Sequence, residues 1–518
     1  VGNPRQVCDW LAAGCERPRA VLNPSSDTED DAQAEPDVEV DWVGNLDNAA
    51  LVISRLHRGE KRLVFCDSRA GVEALAMALR GLGVNTFVSH SCLSLDERHA
   101  AEQAFSEGSD CVIVATSTLE LGIDVGDLDR VIQIDAPASV ASFLQRIGRT
   151  GRRPGSTRNC LFLITKEQSF LQAAALLQLW AEGYVEPTTP PPLPLHLFAQ
   201  QIMALALQER GIAVSDWPPW LGRRPGLADV DADQLERIMR FMTQTGILHA
   251  DQGILGIGKD GERQFGDKHF MALFSVFVSP PSVKVFHGRQ EIGEVHQSTF
   301  ILKEDGPSVL TLGGRSWQTK YVDWPRRKAY VEPTDLRGRS RWLSAGQPLP
   351  FALCQAMTRM LAREDFPAKF SRRAVEFMQT LREEYDWVEP GRSFLIHGED
   401  GGLVWWTFAG KLVNAAIAAA IPQALRNQAG IVKSDNLSVT FSGDVDARAL
   451  KQAIGRLMHL DPFERTIPLD EAFIAELKFG ECLPRDCRDR ELAARYDTKD
   501  ELALLVSYPL VSMRAVRR

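Results

Sequence analysis

The sequence predicts an α/β domain on a parallel sheet, then a helical module closed by a hairpin, then an α+β part with an antiparallel sheet or barrel. Three observations predict it. Over residues 42–166, apolar β-branched runs alternate with amphipathic stretches, as buried parallel strands alternate with the helices that cover them. Two periodic helical stretches at 195–210 and 231–246 precede the short apolar run ILHADQGILGIG. From about residue 265 the texture changes to short strands punctuated by Gly and Pro.

Length and charge set the frame. A chain of 518 residues is long enough for about three or four domains. Its net charge of −9 excludes a uniformly basic nucleic-acid coat, yet the charge is segregated. Residues 25–41 hold many acids and no base, whereas 315–341 is rich in arginine. The nine cysteines form no CxxC pair, which fits reduced thiols; neither Cys482-x4-Cys487 nor His90, Cys92 and His99 makes a convincing metal site, so none is expected. No apolar run approaches membrane-spanning length and VGNPRQVC does not read as a signal peptide, so a cytoplasmic protein is expected.

In order, a helix is expected at 6–11, a strand at 19–22 and an acidic linker at 23–41. Strands come next at 62–66, 85–88, 111–115, 131–134 and 160–165, and helices at 70–82, 94–105 and 139–149. Ser94 and Glu97 have the spacing of a capping box. The 111–115 strand ends in Thr116, Ser117 and Thr118, small hydroxyl residues at the strand edge where α/β sheets bind ligands. Beyond it, Gln145 and Arg149 are four apart and Arg152 three further on, so a helix persisting that far puts all three on one face. Gly148 and Gly151 beside them each disfavour helix by roughly 1 kcal/mol relative to Ala. Glycines next to two guanidinium groups imply close approach to an anion, a triphosphate above all.

These residues carry a resemblance. VATSTLELGID resembles motif V of superfamily 2 helicases, QRIGRTGR resembles their motif VI, and LVFCDSR their motif IV. Within that superfamily the match is to the large helicase-related (Lhr) family, and VGNP at the start resembles the residues directly after motif III in that family. The resemblance implies that residues 1–22 are a remnant of a first RecA-like domain and 42–166 a second. It implies an ATP-driven 3′-to-5′ translocase on single-stranded DNA that unwinds duplexes, RNA–DNA hybrids included. Gly122, Asp124, Gln145, Arg149 and Arg152 would bind ATP, Arg149 and Arg152 acting as catalytic arginine fingers. Ser68, Arg69, Thr116 and Ser117 would hold the nucleic-acid backbone, together with His90 from a segment that carries two histidines in the family. With no GxxxxGK[ST] loop and no DExH or DEAD box expected, ATP and Mg2+ would both need the missing first RecA-like domain, and this chain alone would not hydrolyse ATP.

Past a helical connector at 167–194, the helix–helix–hairpin pattern of 195–260 reads as a winged helix. Residues 261–518 read as a C-terminal domain containing a β-barrel. There Arg315 and Trp317 lie in a basic and aromatic mixture suited to single strands, and Trp405 and Trp406 are further candidates, of which at most one can face outward on a strand. A helical stretch is expected at 351–382. Two other readings stay open: a non-catalytic nucleic-acid-binding module, and a protein-interaction platform.

Overall fold

The structure, a computed structural model, describes residues 1–13, 15–22, 35–120, 128–153, 155–221, 226–227, 230–278, 282–301, 308–336, 348–397, 402–424, 432–442, 447–457 and 477–514. The chain divides into two compact units. The first comprises Val1–Pro24, Pro187–Ser279 and Arg392–Arg518; the second comprises Ser25–Glu186 and Pro280–Gly391.

Helix α1 (Pro4–Leu11) of the first unit opens with proline, whose fixed φ suits a first helical turn. The strand expected at 19–22 is absent: those residues run without regular structure.

The second unit is built on β1 (Asp37–Trp42), α2 (Leu46–Arg55), β2 (Lys61–Cys66), α3 (Arg69–Gly81), β3 (Thr86–Ser89), α4 (Leu95–Glu107), β4 (Cys111–Ala115), β5 (Arg130–Ile134), α5 (Val140–Ile147), β6 (Asn159–Ile164) and α6 (Glu167–Ala181). The strands pair in parallel in the order β1-β6-β5-β2-β4-β3. Every residue of CVIVA in β4 is buried, as a strand covered on both faces requires. Two expectations shift here. The last residues of the expected linker, 37–41, are strand, because β1 completes the sheet beside β6. Helix α5 stops at Ile147 rather than 149, since Gly148 caps it and Gly151 takes a left-handed φ of +71°.

The capping box forms only by half. Ser94 Oγ accepts from the Glu97 N–H at 3.2 Å, but the Ser94 N–H donates to the Ile292 carbonyl, and the Glu97 carboxylate accepts from Gln290.

In the first unit, α7 (Leu195–Gln208), β7 (Ile212–Ala213), α8 (Pro218–Leu221), α9 (Ala232–Gln244), β8 (Leu248–Asp251) and β9 (Ile254–Ile257) form three helices and a small antiparallel sheet ordered β7-β9-β8. Phe198, Ile202, Ile238, Met242 and Leu255 share its core. Helices α10 (Lys259–Phe265) and α11 (Asp267–Phe270) come after them.

Back in the second unit, β10 (Ser282–His287), β11 (Gln290–His296), α12 (Ser298–Ile301), β12 (Val309–Leu312), β13 (Arg315–Asp323) and β14 (Lys328–Pro333) make a five-stranded sheet ordered β11-β10-β14-β13-β12. It is mixed rather than purely antiparallel, because β10 and β14 run parallel. Then come α13 (Phe351–Ala362), β15 (Lys369–Phe370) and α14 (Arg372–Glu384), so the helix expected over 351–382 is broken where β15 pairs with the free edge of β1.

The remainder joins the first unit: β16 (Ser393–His397), β17 (Leu403–Trp406), α15 (Lys411–Ala424), β18 (Val432–Ser434), β19 (Ser438–Phe441), α16 (Ala447–Leu457), two helices at Arg485–Arg495 and Lys499–Ser507, and β20 (Leu510–Arg514). Its sheet order is β18-β19-β17-β16-β20. Residues 261–518 are therefore not one domain. The β10–β14 sheet shares a core with the parallel sheet, where Val285, Ile292, Leu312 and Trp317 pack with Leu75, Leu79 and Val88.

Candidate functional site

The carboxyl ends of β2, β4 and β5 are drawn together by one side chain that sequence reasoning missed. Arg146 on α5 is 4% exposed and its Nη2 lies 2.7 Å from Asp67, just past β2, and 2.7 Å from Glu120, just past β4. Its Nε donates to Glu120 at 2.8 Å and its Nη1 to Gln133 of β5 at 2.5 Å, with the guanidinium over the Phe65 ring. Burial opposes the charge on Arg146, but Asp67 and Glu120 more than offset it and hold its pKa up. At Asp67 burial wins over the Arg146 attraction, so its carboxyl titrates above the ordinary range. The available signal was an arginine on the apolar face of α5, between the buried Phe143 and Ile147.

Around this staple stand several expected site residues. Arg149 is 8% exposed and donates to the Glu120 carbonyl. Burial and the neighbouring Arg152 charge push its pKa down. Arg152 is exposed, its Nε 3.2 Å from the Gly148 carbonyl, and Gln145 is exposed on α5. Because α5 ends at Ile147, the three residues do not share a helical face; the turn at Gly148–Gly151 carries Arg149, and Arg152 directly follows it. That turn is tight, for a Cβ on Gly151 would meet Arg158 at 2.6 Å. Gly122 and Asp124 lie outside the described residues.

Ser68, Arg69, Thr116 and Ser117 come just after the ends of the paired strands β2 and β4. Ser68 is exposed and caps α3, its Oγ accepting from the Gly71 N–H at 3.0 Å; Arg69 is half-buried in the first turn. Thr116 is half-buried, and the exposed Ser117 opens a 3-10 turn whose Leu119 is buried.

Three expected nucleic-acid contacts are corrected. His90 is fully buried, with Nε2 2.8 Å from Glu73, and so cannot reach a strand. Glu73 also accepts from the N–H groups of Gly313 (2.7 Å) and Gly314 (2.5 Å), which turn between β12 and β13 at φ +67° each. Trp317 is 5% exposed, and its Nε1 donates to the Leu312 carbonyl at 2.8 Å, so the ring is core. Of the tryptophan pair, Trp405 is buried and only Trp406 is partly exposed, as strand alternation demands. Arg315 is exposed at the start of β13, whereas Arg337, Arg339, Arg341 and Trp342 lie outside the described residues.

One sequence expectation needs a further correction. Asp96–His99 reads Asp-Glu-Arg-His, literally a DExH tetrad. It sits in the first turn of α4, where acids favour a helix N-terminus, and not at a strand end. Among the described residues no group of His, Cys, Asp and Glu is placed to hold a metal ion, and no helix is long and apolar enough to cross a membrane.

Residues 46–154 match the helicase conserved C-terminal domain. With the parallel sheet, this identifies that part of the chain as a helicase C-terminal domain. Among curated relatives, the Lhr helicase/uracil glycosylase of Escherichia coli is 30% identical over 51% of this chain and 18% of its own length. The Lhr-Core helicase of Methanothermobacter thermautotrophicus is 28% identical over 72% of this chain and 48% of its own. The structure of Mycobacterium smegmatis helicase Lhr bound to ssDNA and AMP-PNP shares the fold, with a TM-score of 0.72 at 18% identity, covering 100% of this chain and 73% of that one. Over these stretches the chain is similar to Lhr helicases, and it carries the helicase conserved C-terminal domain at residues 46–154. It spans between 18% and 48% of the length of the two curated relatives described.

Proposed function

We propose that the chain is the C-terminal part of an ATP-dependent translocase that moves 3′ to 5′ on single-stranded DNA and unwinds duplexes, RNA–DNA hybrids included, in the cytoplasm. One observation carries the reading: the Arg146 staple gathers the three strand ends, and the turn just beyond it bears Arg149, with Arg152 directly after it. Two guanidinium groups side by side suit the charge of a triphosphate. Placed opposite a phosphate-cradling loop from another RecA-like domain, they neutralise charge as the γ-phosphoryl group leaves. Magnesium is assigned to that other domain, since the carboxylates at this edge, Asp67 and Glu120, are already held by Arg146. Ser68, Arg69, Thr116 and Ser117, on the adjoining strand ends, grip the nucleic-acid backbone, so that hydrolysis is felt at the strand. The module of α7 to β9 has the element order of a winged helix and serves as a brace on the duplex. The Mycobacterium smegmatis relative, bound to ssDNA and AMP-PNP, supports this pairing of ligands.

The test is Arg149→Ala and Arg152→Ala in the protein that joins this chain to its ATP-binding domain. Each is expected to lower ATP turnover by about 10³–10⁵, the worth of an arginine finger, with single-strand binding kept. Near-normal turnover in both variants refutes the assignment.

A further inference from the structure

With Trp317 in the core, the outer face of the same sheet presents another set of rings. Phe286 of β10 pairs with Tyr330 of β14, which pairs with Tyr321 of β13, so three aromatic residues stand in a row across three adjacent strands. Ring centroids are 5.9 Å apart in the first pair and 6.3 Å in the second, at interplanar angles of 32° and 19°. Val285, Ala329 and Val331 on alternate positions point inward and are buried. Simple alternation from Thr319, which pairs with the inward Val331, would send Tyr321 inward too. The register shift between Thr319 and Tyr321 re-aims it outward opposite Tyr330. The sheet thus spends a bulge on placing a tyrosine in water, 61% exposed, beside Tyr330 at 38%.

The rim is richer in cations than in acids. Lys328 lies over the Phe286 ring, while Lys284 and Lys320 are held by exposed pairs with Glu291 and Glu332, and Arg326 by the half-buried Asp323. Exposed pairs of this kind contribute little, so a phosphate competes for the same cations. Exposed Arg289 and Arg327, at the two hairpin turns, add charge with no ion pair among the described residues.

We propose that Phe286, Tyr330 and Tyr321 form a base-stacking platform for single-stranded nucleic acid, with Lys328 and its neighbours on the phosphates. The proposal rests on the reading of the chain as part of a nucleic-acid motor and assigns the stacking surface that Trp317 does not supply. Shallow, similarly tilted rings at regular spacing suit unstacked bases, whereas a protein hot spot takes a deeper, desolvated pocket. Every base has a π-face, so little sequence preference is expected.

The experiment uses this chain and a fluorescein-labelled 15-mer of thymidine, beside the same oligonucleotide with abasic sites in place of bases. Tyr321→Leu and Tyr330→Leu keep apolar bulk but remove the flat ring, and thermal melts check that the fold is kept. Each is expected to weaken binding of the thymidine strand at least about fivefold, the lower end of one stacked base, and to leave abasic binding unchanged. Lys328→Ala should weaken both strands and lower the salt slope by about one phosphate. Equal affinity of the double tyrosine variant and wild type overturns the platform while leaving the motor reading intact. Equal losses on both oligonucleotides overturn stacking. No binding of either oligonucleotide by the wild type overturns the platform.

Discussion

Each of the two units contains a buried glutamate holding a buried histidine, and they are the two such glutamates and two such histidines among the described residues: Glu73 with His90, and Glu491 with His196. Burying a carboxylate is costly unless donors surround it, and the two sites find their donors differently. Glu73 adds two backbone N–H groups from the Gly313-Gly314 turn, 240 and 241 residues on, and thereby ties α3 to the β12–β13 hairpin. Arg80, also on α3, donates to the carbonyls of that turn. Glu491 instead accepts from the His196 N–H at 3.0 Å, at the first turn of α7, a helix with no side-chain cap of its own. One carboxylate uses a tight turn and the other a helix N-terminus, both ready sources of free N–H groups. The difference is reach: Glu73 joins two sheets, whereas Glu491 joins two helices.

The comparison breaks most easily at Glu73. Glu73→Ala leaves three donors without their acceptor and should cost about 3–5 kcal/mol, as loss of one partner of a buried charged cluster does. Its signature in denaturant melts is early unfolding of the second unit, with hydrogen exchange rising at Gly313 and Gly314. Protection retained at those amides would sink the clamp. Glu491→Ala comes next. It strips two donors, each worth roughly 1–3 kcal/mol when left unsatisfied, and it should loosen α7 while the Gly313 and Gly314 amides stay protected. If both variants lowered the same amides, the two clamps would not be independent.

How much of this was legible beforehand depends on whether the force is local. The strands β2, β4 and β5, the Ser94 cap and the hairpin of β8 and β9 come from periodicity and capping chemistry, which act within a few residues. Motif spacing singled out Arg149 and Arg152 but put them on a helical face, because the stop at Gly148 was not read from the glycines. The pairing of β10–β14 with the parallel sheet was not legible. It rests on Gly293, whose missing side chain lets its backbone lie where a Cβ would come within 2.2 Å of the Cys92 carbonyl, and on a Glu73 carboxylate that any helix surface could carry. His90 and Trp317 misled for the same reason. Polar or aromatic character suggests a ligand, while the partner that buries it lies far off in sequence. Arg146 was overlooked beside Arg149 and Arg152, whose spacing is better known, although its place on the apolar face of α5 was visible.

The finest test divides the Glu73 clamp from the turn it holds. Gly313 and Gly314 share φ +67°, a conformation costing other L-residues about 1–2 kcal/mol. An added Cβ at Gly313 meets only Leu93, at 3.8 Å, whereas at Gly314 it meets Arg80 Nη1 at 2.6 Å. Gly313→Ala should therefore show the backbone cost alone, and Gly314→Ala that cost plus displacement of Arg80. Gly313→Asn should recover part of the loss, because asparagine tolerates the left-handed region. Thermal melts of the three variants rank them, with Gly314→Ala lowest and Gly313→Asn nearest wild type. Should Gly313→Ala and Gly314→Ala melt together, Arg80 does not brace the turn, and the link between the two sheets reduces to the carboxylate of Glu73.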